Sequence, residues 1–423
     1  MSLTATYRLQ LRADFPFDAA AGISDYLSEL GITHAYCSPY LQAAPGSTHG
    51  YDVIDYTRPN VELGGEEGFR RLVAALKNVR LGQVLDIVPN HMAISTSANW
   101  WWADVLENGP SSHFASYFDV EWEPPEARLR NTVLIPILRD QYGRVLEAGE
   151  LQIVRQGAEF HVRYEDNTYP ISPSSLGPVL GRAARQANSD ALAFLADAFS
   201  ELPRPTATDR ASVRRRHRDK AVLREQLRRL LEDDPFVATA IDQTIGEMNG
   251  DPDSLHALLD LQNYRLAWWR SADRDLGYRR FFDIDTLIGL RMEDEQVFQD
   301  THSRVLEWVR EGAIDGLRID TWMAYAIRSS ISNACAQRRR TPGSWPRRSW
   351  TRKRRCPRAG RSREPPVTTS SIGSPDYSSI RMAKFRSPTS TATSPARLVT
   401  TPLLFETRRS WCSARCWAAM SSD

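Results

Sequence analysis

The chain has 423 residues, 41% of them apolar, and its 54 basic side chains nearly balance 52 acidic ones, a composition ordinary for a globular protein. That balance conceals two unlike parts: 20 basic and 4 acidic residues after Asp320, a net of +16, against 34 and 48 up to it, a net of −14. No apolar run reaches the ~20 residues of a membrane helix and no basic-then-apolar leader opens the chain, so a cytoplasmic protein without a membrane partner is expected.

The first 320 residues suit one large domain with an insertion. Thr6-Tyr7-Arg8-Leu9-Gln10-Leu11 alternates as a strand. Asp18 is placed to cap the following helix, with Ile23, Leu27 and Leu30 at helical spacing and Gly31 as its stop. His34-Ala35-Tyr36-Cys37 reads as a second strand, a helix follows over 64–77, and a third strand spans 83–88. Strands alternating with helices predict parallel βα units, with polar residues at the C-terminal strand ends where barrel enzymes build their sites.

Residues 93–292 are too many for one crossover and read as an inserted, mainly helical subdomain. It opens with Trp100, Trp101 and Trp102, followed by Phe114, Tyr117, Phe118 and Trp122, a group more often core than ligand platform. Residues 214–233 read as a charged helix with Leu223, Leu227, Leu230 and Leu231 on its apolar side and the charges on a solvated face. The barrel plan resumes over 293–320, with a helix at 295–310 and a strand at 313–320.

Four segments carry chemistry together. They are His49-Gly50-Tyr51-Asp52, then Asp86 to Asn90-His91, then Phe281-Phe282-Asp283, and finally Asp315-Gly316-Leu317-Arg318-Ile319-Asp320. Singly, each has a plain reading: a capping aspartate, or a hydrogen-bonded structural histidine. Period-two alternation puts Arg318 and Asp320 on one side of their strand, and an arginine beside a carboxylate keeps it ionised, as a nucleophile must be.

In that order the segments resemble the α-amylase superfamily of retaining (β/α)8 enzymes, and within it the maltooligosyl trehalose synthase family. The resemblance runs from Thr6–Leu11 through Gly46-Ser47-Thr48-His49-Gly50-Tyr51-Asp52-Val53 and Tyr278-Arg279-Arg280-Phe281-Phe282-Asp283 to Asp320. It implies the N-terminal half of a TIM barrel with the insertion after its third strand. It further implies Asp320 as nucleophile, Arg318 orienting it, Asp86, Asn90 and His91 lining the sugar site, Tyr51 as stacking platform and His49 beside it. The implied substrate is a maltooligosaccharide, whose reducing-end α-1,4 link becomes the α,α-1,1 link of trehalose. A trehalose-releasing hydrolase would work alongside; no cofactor, metal or specific nucleic acid is implied. An α-amylase-type hydrolase and a non-catalytic glucan- or polyanion-binding remnant are the alternatives.

After Asp320 the family continues with a histidine and an Asp-Gly-Leu step, whereas this chain reads Thr321-Trp322-Met323-Ala324-Tyr325-Ala326-Ile327-Arg328. The codons ACG TGG ATG GCC TAC GCG ATC CG, preceded by one restored C, read CAC GTG GAT GGC CTA CGC GAT CCG and translate as HVDGLRDP. TGG and ATG are unique codons, so the core of that string is forced. The expectation is a one-base loss after codon 320. Arg347 then stands where the family's general-acid glutamate is expected, and the chain as it stands is inactive. The Arg/Ser-rich stretch that follows has a composition typical of disorder, and it holds every cysteine except Cys37.

Overall fold

The computed structural model describes residues 3–94 and 98–319. Four parallel strands form its central sheet: β1 (Thr6–Leu9), β2 (His34–Cys37), β3 (Gly82–Ile87) and β4 (Gly316–Ile319), side by side in that order. Register aligns Arg8 with Tyr36, Tyr36 with Val84 and Val84 with Gly316. Because strand side chains alternate, Arg8, Tyr36, Asp86 and Arg318 share one face. On the other face Leu9, Ala35, Cys37 and Leu85 are buried. Cys37 is a free thiol that accepts from Gln83 Nε2 at 3.6 Å, and burial pushes it up to about 12.

The connecting helices follow the βα plan, with one correction. The segment after β1 forms two short helices, Phe17–Gly22 and Ser24–Glu29, broken at Ile23. Pro16 holds the cap position, while Asp18 lies in the first turn and pairs with Arg71 at 2.7 Å. Leu27 is buried but Leu30 is exposed. Helices Gly65–Asn78 and Glu295–Glu311 complete this layer, the second capped by Asp294, whose carboxylate accepts from Gln296 N at 2.8 Å. Phe17, Tyr40, Phe69 and Trp308 fill the space between them, with the Phe69 and Trp308 rings 4.5 Å apart. Such aromatic packing adds to the burial of large apolar surfaces that holds the layer in place.

A hairpin-like pair, Leu41–Ala43 with Val53–Pro59, carries the loop of residues 44–52 over the strand ends. Gly50 lets this loop close, because its φ is +78° and a Cβ there would lie 2.2 Å from the Pro39 carbonyl oxygen. After β3, the short strand His91–Ala93 pairs antiparallel with Ile284–Gly289, which in turn pairs with Arg280–Phe281.

Between these lie strands as well as helices. Val133–Leu138 pairs in parallel with Tyr264–Trp268, and Leu151–Gln156, Glu159–Tyr164 and Asn167–Pro170 form an antiparallel sheet. Helices Gly177–Ala187, Asp190–Ser200, Arg210–Asp233 and Pro235–Asn249 pack around them. Trp101 and Trp102 are core residues, as expected, whereas Trp100 is half exposed. The charged helix also departs from its sequence reading: Leu223 and Leu227 are buried, but so are Arg216 and Lys220. No helix among the described residues is long and apolar enough to cross a membrane.

Candidate active site

Asp86 is the centre of the site. It lies near the end of β3 with 1% of its surface exposed, and four donors converge on its carboxylate. Oδ2 accepts from Tyr51 Oη at 2.7 Å, Arg8 Nη1 at 3.0 Å and Tyr36 Oη at 3.3 Å, while Oδ1 accepts from Arg318 Nη1 at 2.9 Å. A buried carboxylate is tolerable only with such partners. The Arg8 guanidinium also donates to Tyr51 Oη at 3.0 Å and lies 4.3 Å over the Tyr36 ring.

The electrostatics follow from this geometry. Partial burial opposes the charge on Arg8, yet Asp86 and Tyr51 outweigh it and hold its pKa above the ordinary value. Tyr36 and Tyr51 are both pushed up, first by burial and then by the neighbouring Asp86 charge, so both hydroxyls stay protonated as donors.

Tyr51 joins Asp86 to His91. Its hydroxyl is on Asp86, and its carbonyl oxygen accepts from His91 Nε2 at 3.1 Å. A carbonyl can only accept, so Nε2 carries the ring proton and Nδ1 is left as an acceptor. Nδ1 is buried and without a hydrogen-bond partner among the described residues, as is Asn90 Oδ1. Burial lowers the pKa of His91 to about 4, which makes it a neutral imidazole at pH 7. Its ring stacks on Phe281 at 4.0 Å.

His49 sits further out, its side chain 54% exposed. Its Nδ1 accepts from the Tyr51 N–H at 3.1 Å, so it shapes the loop that carries Tyr51. Inside that loop Ser47 Oγ donates to Asp52 and accepts from the Gly50 N–H at 3.1 Å. Arg318 bonds to Asp86 with its side chain 45% exposed, and Asp320 lies outside the described residues.

Tyr51, Asp86, His91 and Arg318 are thus brought together, with His49 further out and Asn90 buried and bonded through its carbonyl to the Leu290 N–H. Sequence reasoning missed Arg8 and Tyr36 as members. One signal was present: Arg8 is a lone charge in the first alternating strand.

The α-amylase catalytic-domain model matches residues 21–144. A Mycobacterium tuberculosis protein described as a putative maltooligosyl trehalose synthase is 31% identical over 322 residues, 75% of this chain. The chain spans 30% of that relative's length. Among solved structures, the maltooligosyltrehalose synthase of Arthrobacter ramosus shares 29% identity over 78% of this chain and 33% of its own, with a TM-score of 0.53. A hypothetical maltooligosyl trehalose synthase from Sulfolobus tokodaii shares 30% over 80% of this chain and 35% of its own, also at 0.53. With an α-amylase catalytic-domain match over residues 21–144 and similarity running through three quarters of its length, the chain is similar to maltooligosyl trehalose synthases.

Proposed function

We propose that residues 1–320 are the N-terminal part of a maltooligosyl trehalose synthase, acting on α-1,4-glucan oligosaccharides. The observation that carries this is the 31% identity sustained over 322 residues, three quarters of the chain. In this reading Asp320 attacks the anomeric carbon of the reducing-end linkage. The bond to the leaving glucose oxygen breaks, and a covalent glycosyl-enzyme forms. A second carboxyl group, ~5–5.5 Å away in retaining enzymes, protonates that oxygen and later takes a proton back. The freed glucose turns and attacks through its anomeric hydroxyl, which closes the α,α-1,1 link.

The cluster suggests a division of labour. Both Asp86 oxygens are occupied and only 1% of the residue is exposed, so its role is to orient Arg8, Tyr51 and Arg318. The half-exposed Arg318 guanidinium then serves the nucleophile and the sugar. His91, as buried as Asp86, holds the Tyr51 carbonyl through Nε2, and Tyr51 offers its ring as a platform. A trehalose-releasing hydrolase consumes the product, and the protein works in the cytoplasm without a cofactor.

In the same reading one base is lost after codon 320, and the chain as it stands is inactive. Two versions test this on maltohexaose: the chain as given, and one with the frame restored. The restored chain is expected to remove reducing ends and form a non-reducing sugar, while the present chain leaves the substrate unchanged. A rise in reducing ends from the restored chain would instead establish a hydrolase. Non-reducing product from the present chain would refute its inactivity.

A further inference from the structure

The strands Arg280–Phe281 and Ile284–Gly289 are joined by only two residues, Phe282 and Asp283. The favoured two-residue hairpin turns need a positive φ at the first loop position, which is why glycine or asparagine is usual there. Phe282 occupies it with φ at +52°, and it is 78% exposed. A bulky side chain in left-handed backbone, with its ring in water, gains nothing from burial to offset the strain. Such outliers persist where the surroundings impose them, and they concentrate at functional sites.

The surroundings do impose this one. Arg280 bonds to Asp285 and reaches Asp273 at 3.3 Å and Asp283 at 3.4 Å, bracing the turn from below. Tyr278 Oη donates to the Asp285 carbonyl at 2.7 Å. The Arg279 guanidinium lies against Gly289, where a Cβ would come within 2.5 Å of it, and donates to Asp119 at 2.7 Å and to the Leu290 carbonyl at 2.9 Å. The foot of the hairpin is hydrogen-bonded to the site itself, since Gly289 pairs with His91. From there the rings form a short series: His91 to Phe281 at 4.0 Å, then Phe281 to Phe282 at 4.5 Å.

We propose that Phe282 is a sugar-contacting residue, whose ring receives the C–H face of a glucose unit of an α-1,4-glucan lying beside His91. Asp283, with its side chain 98% exposed, accepts hydroxyls of the same unit. An aromatic face next to an acceptor suits a neutral pyranose, which presents one apolar side and a rim of donors. The inference rests on the proposed function and adds to it a contact that the Asp86 cluster does not supply.

Maltohexaose binding measured by calorimetry tests it, on the 423-residue chain and on the frame-restored chain. Phe282→Ala is expected to weaken binding about tenfold, the upper range for one aromatic contact. Phe282→Trp should keep the affinity. Phe236→Ala, at an aromatic 81% exposed elsewhere on the molecule, should leave it unchanged. The deciding variant is Phe282→Gly, which relieves the backbone and should raise the thermal midpoint while binding as weakly as the alanine variant. A purely structural phenylalanine would not separate stability from binding in this way. Unaltered affinity in the alanine and glycine variants, with the parent chain binding, would overturn the inference alone. Absence of binding by both parent chains would overturn the proposed function and the inference with it.

Discussion

Two charged clusters in the described part of the molecule, one at the strand ends of the central sheet and one in the segment between β3 and β4, use their donors differently. In the segment between β3 and β4, Asp104 and Glu107 come from helix Trp100–Asn108, and Arg216, Lys220 and Arg224 from helix Arg210–Asp233 at four-residue spacing. Glu107 accepts from Lys220 at 2.6 Å and from Arg224. Arg216 is fully buried and uses neutral acceptors: the Pro203 carbonyl at 2.6 Å, Asn108 Oδ1 at 3.0 Å and Ser172 Oγ at 3.2 Å. Burial lowers its pKa to about 10, which leaves it charged at pH 7. At the strand ends, by contrast, the carboxylate is buried and its cations are not: the Arg8 and Arg318 side chains are 32% and 45% exposed. The first arrangement is a closed clamp between helices. The second leaves its arginines partly exposed, as a binding site requires. Buried charge alone therefore does not mark function; whether its partners reach the surface does.

The contrast can be broken most severely at Arg216. Arg216→Ala should cost about 3–5 kcal/mol, because it leaves buried acceptors without a donor and opens a cavity. The urea midpoint should drop sharply, and a drop equivalent to under ~1 kcal/mol would show that the clamp is wet. Asp86→Asn should act the other way round. Its stability loss should stay near 1–2 kcal/mol, since the two arginines are partly hydrated, while maltohexaose binding should fall by more than about tenfold. If the asparagine variant bound normally, Asp86 would be a structural anchor like Glu107.

The most gradual expected effect is on pH dependence. His91 has a folded pKa of about 4 against ~6.5 when unfolded, so its neutral form contributes fully above ~6.5. As the pH falls from there towards 4 the unfolded chain gains the proton first, and stability declines by up to about 1.4 kcal/mol per pH unit for this group. His217, in the cluster between β3 and β4, is shifted in the same direction by burial. Burial lowers His302 to about 4 as well, so His91→Gln should reduce rather than abolish the slope of the thermal midpoint between pH 6.5 and 4, and an unchanged slope would assign the proton uptake to His302 and His217.

What could be read from sequence was what obeys a local period. The alternating first strand, the helix now seen at Gly65–Asn78 and the helix at Glu295–Glu311 each declare themselves within a few residues. The break at Ile23 was hidden because two short helices in succession present the same spacing as one. Arg8 and Tyr36 belong to the site only through register, which sets them on the same face as Asp86 across three strands. No local pattern encodes that register. The charges of helix Arg210–Asp233 were read as solvated for a related reason. Arg228 and Arg229 do pair on the surface with Glu225, but a helix cannot announce which of its arginines another helix will cover.

Cys37 gives the central sheet a consequence of its own. It is the one thiol before the change of composition, and it sits on β2 between β1 and β3, at 0% exposure and with little thiolate at neutral pH. A reagent can reach it only when the strands part. Its labelling rate is therefore an internal clock for opening of the central sheet, readable in a mixed population and separable by peptide mapping from the cysteines after Asp320.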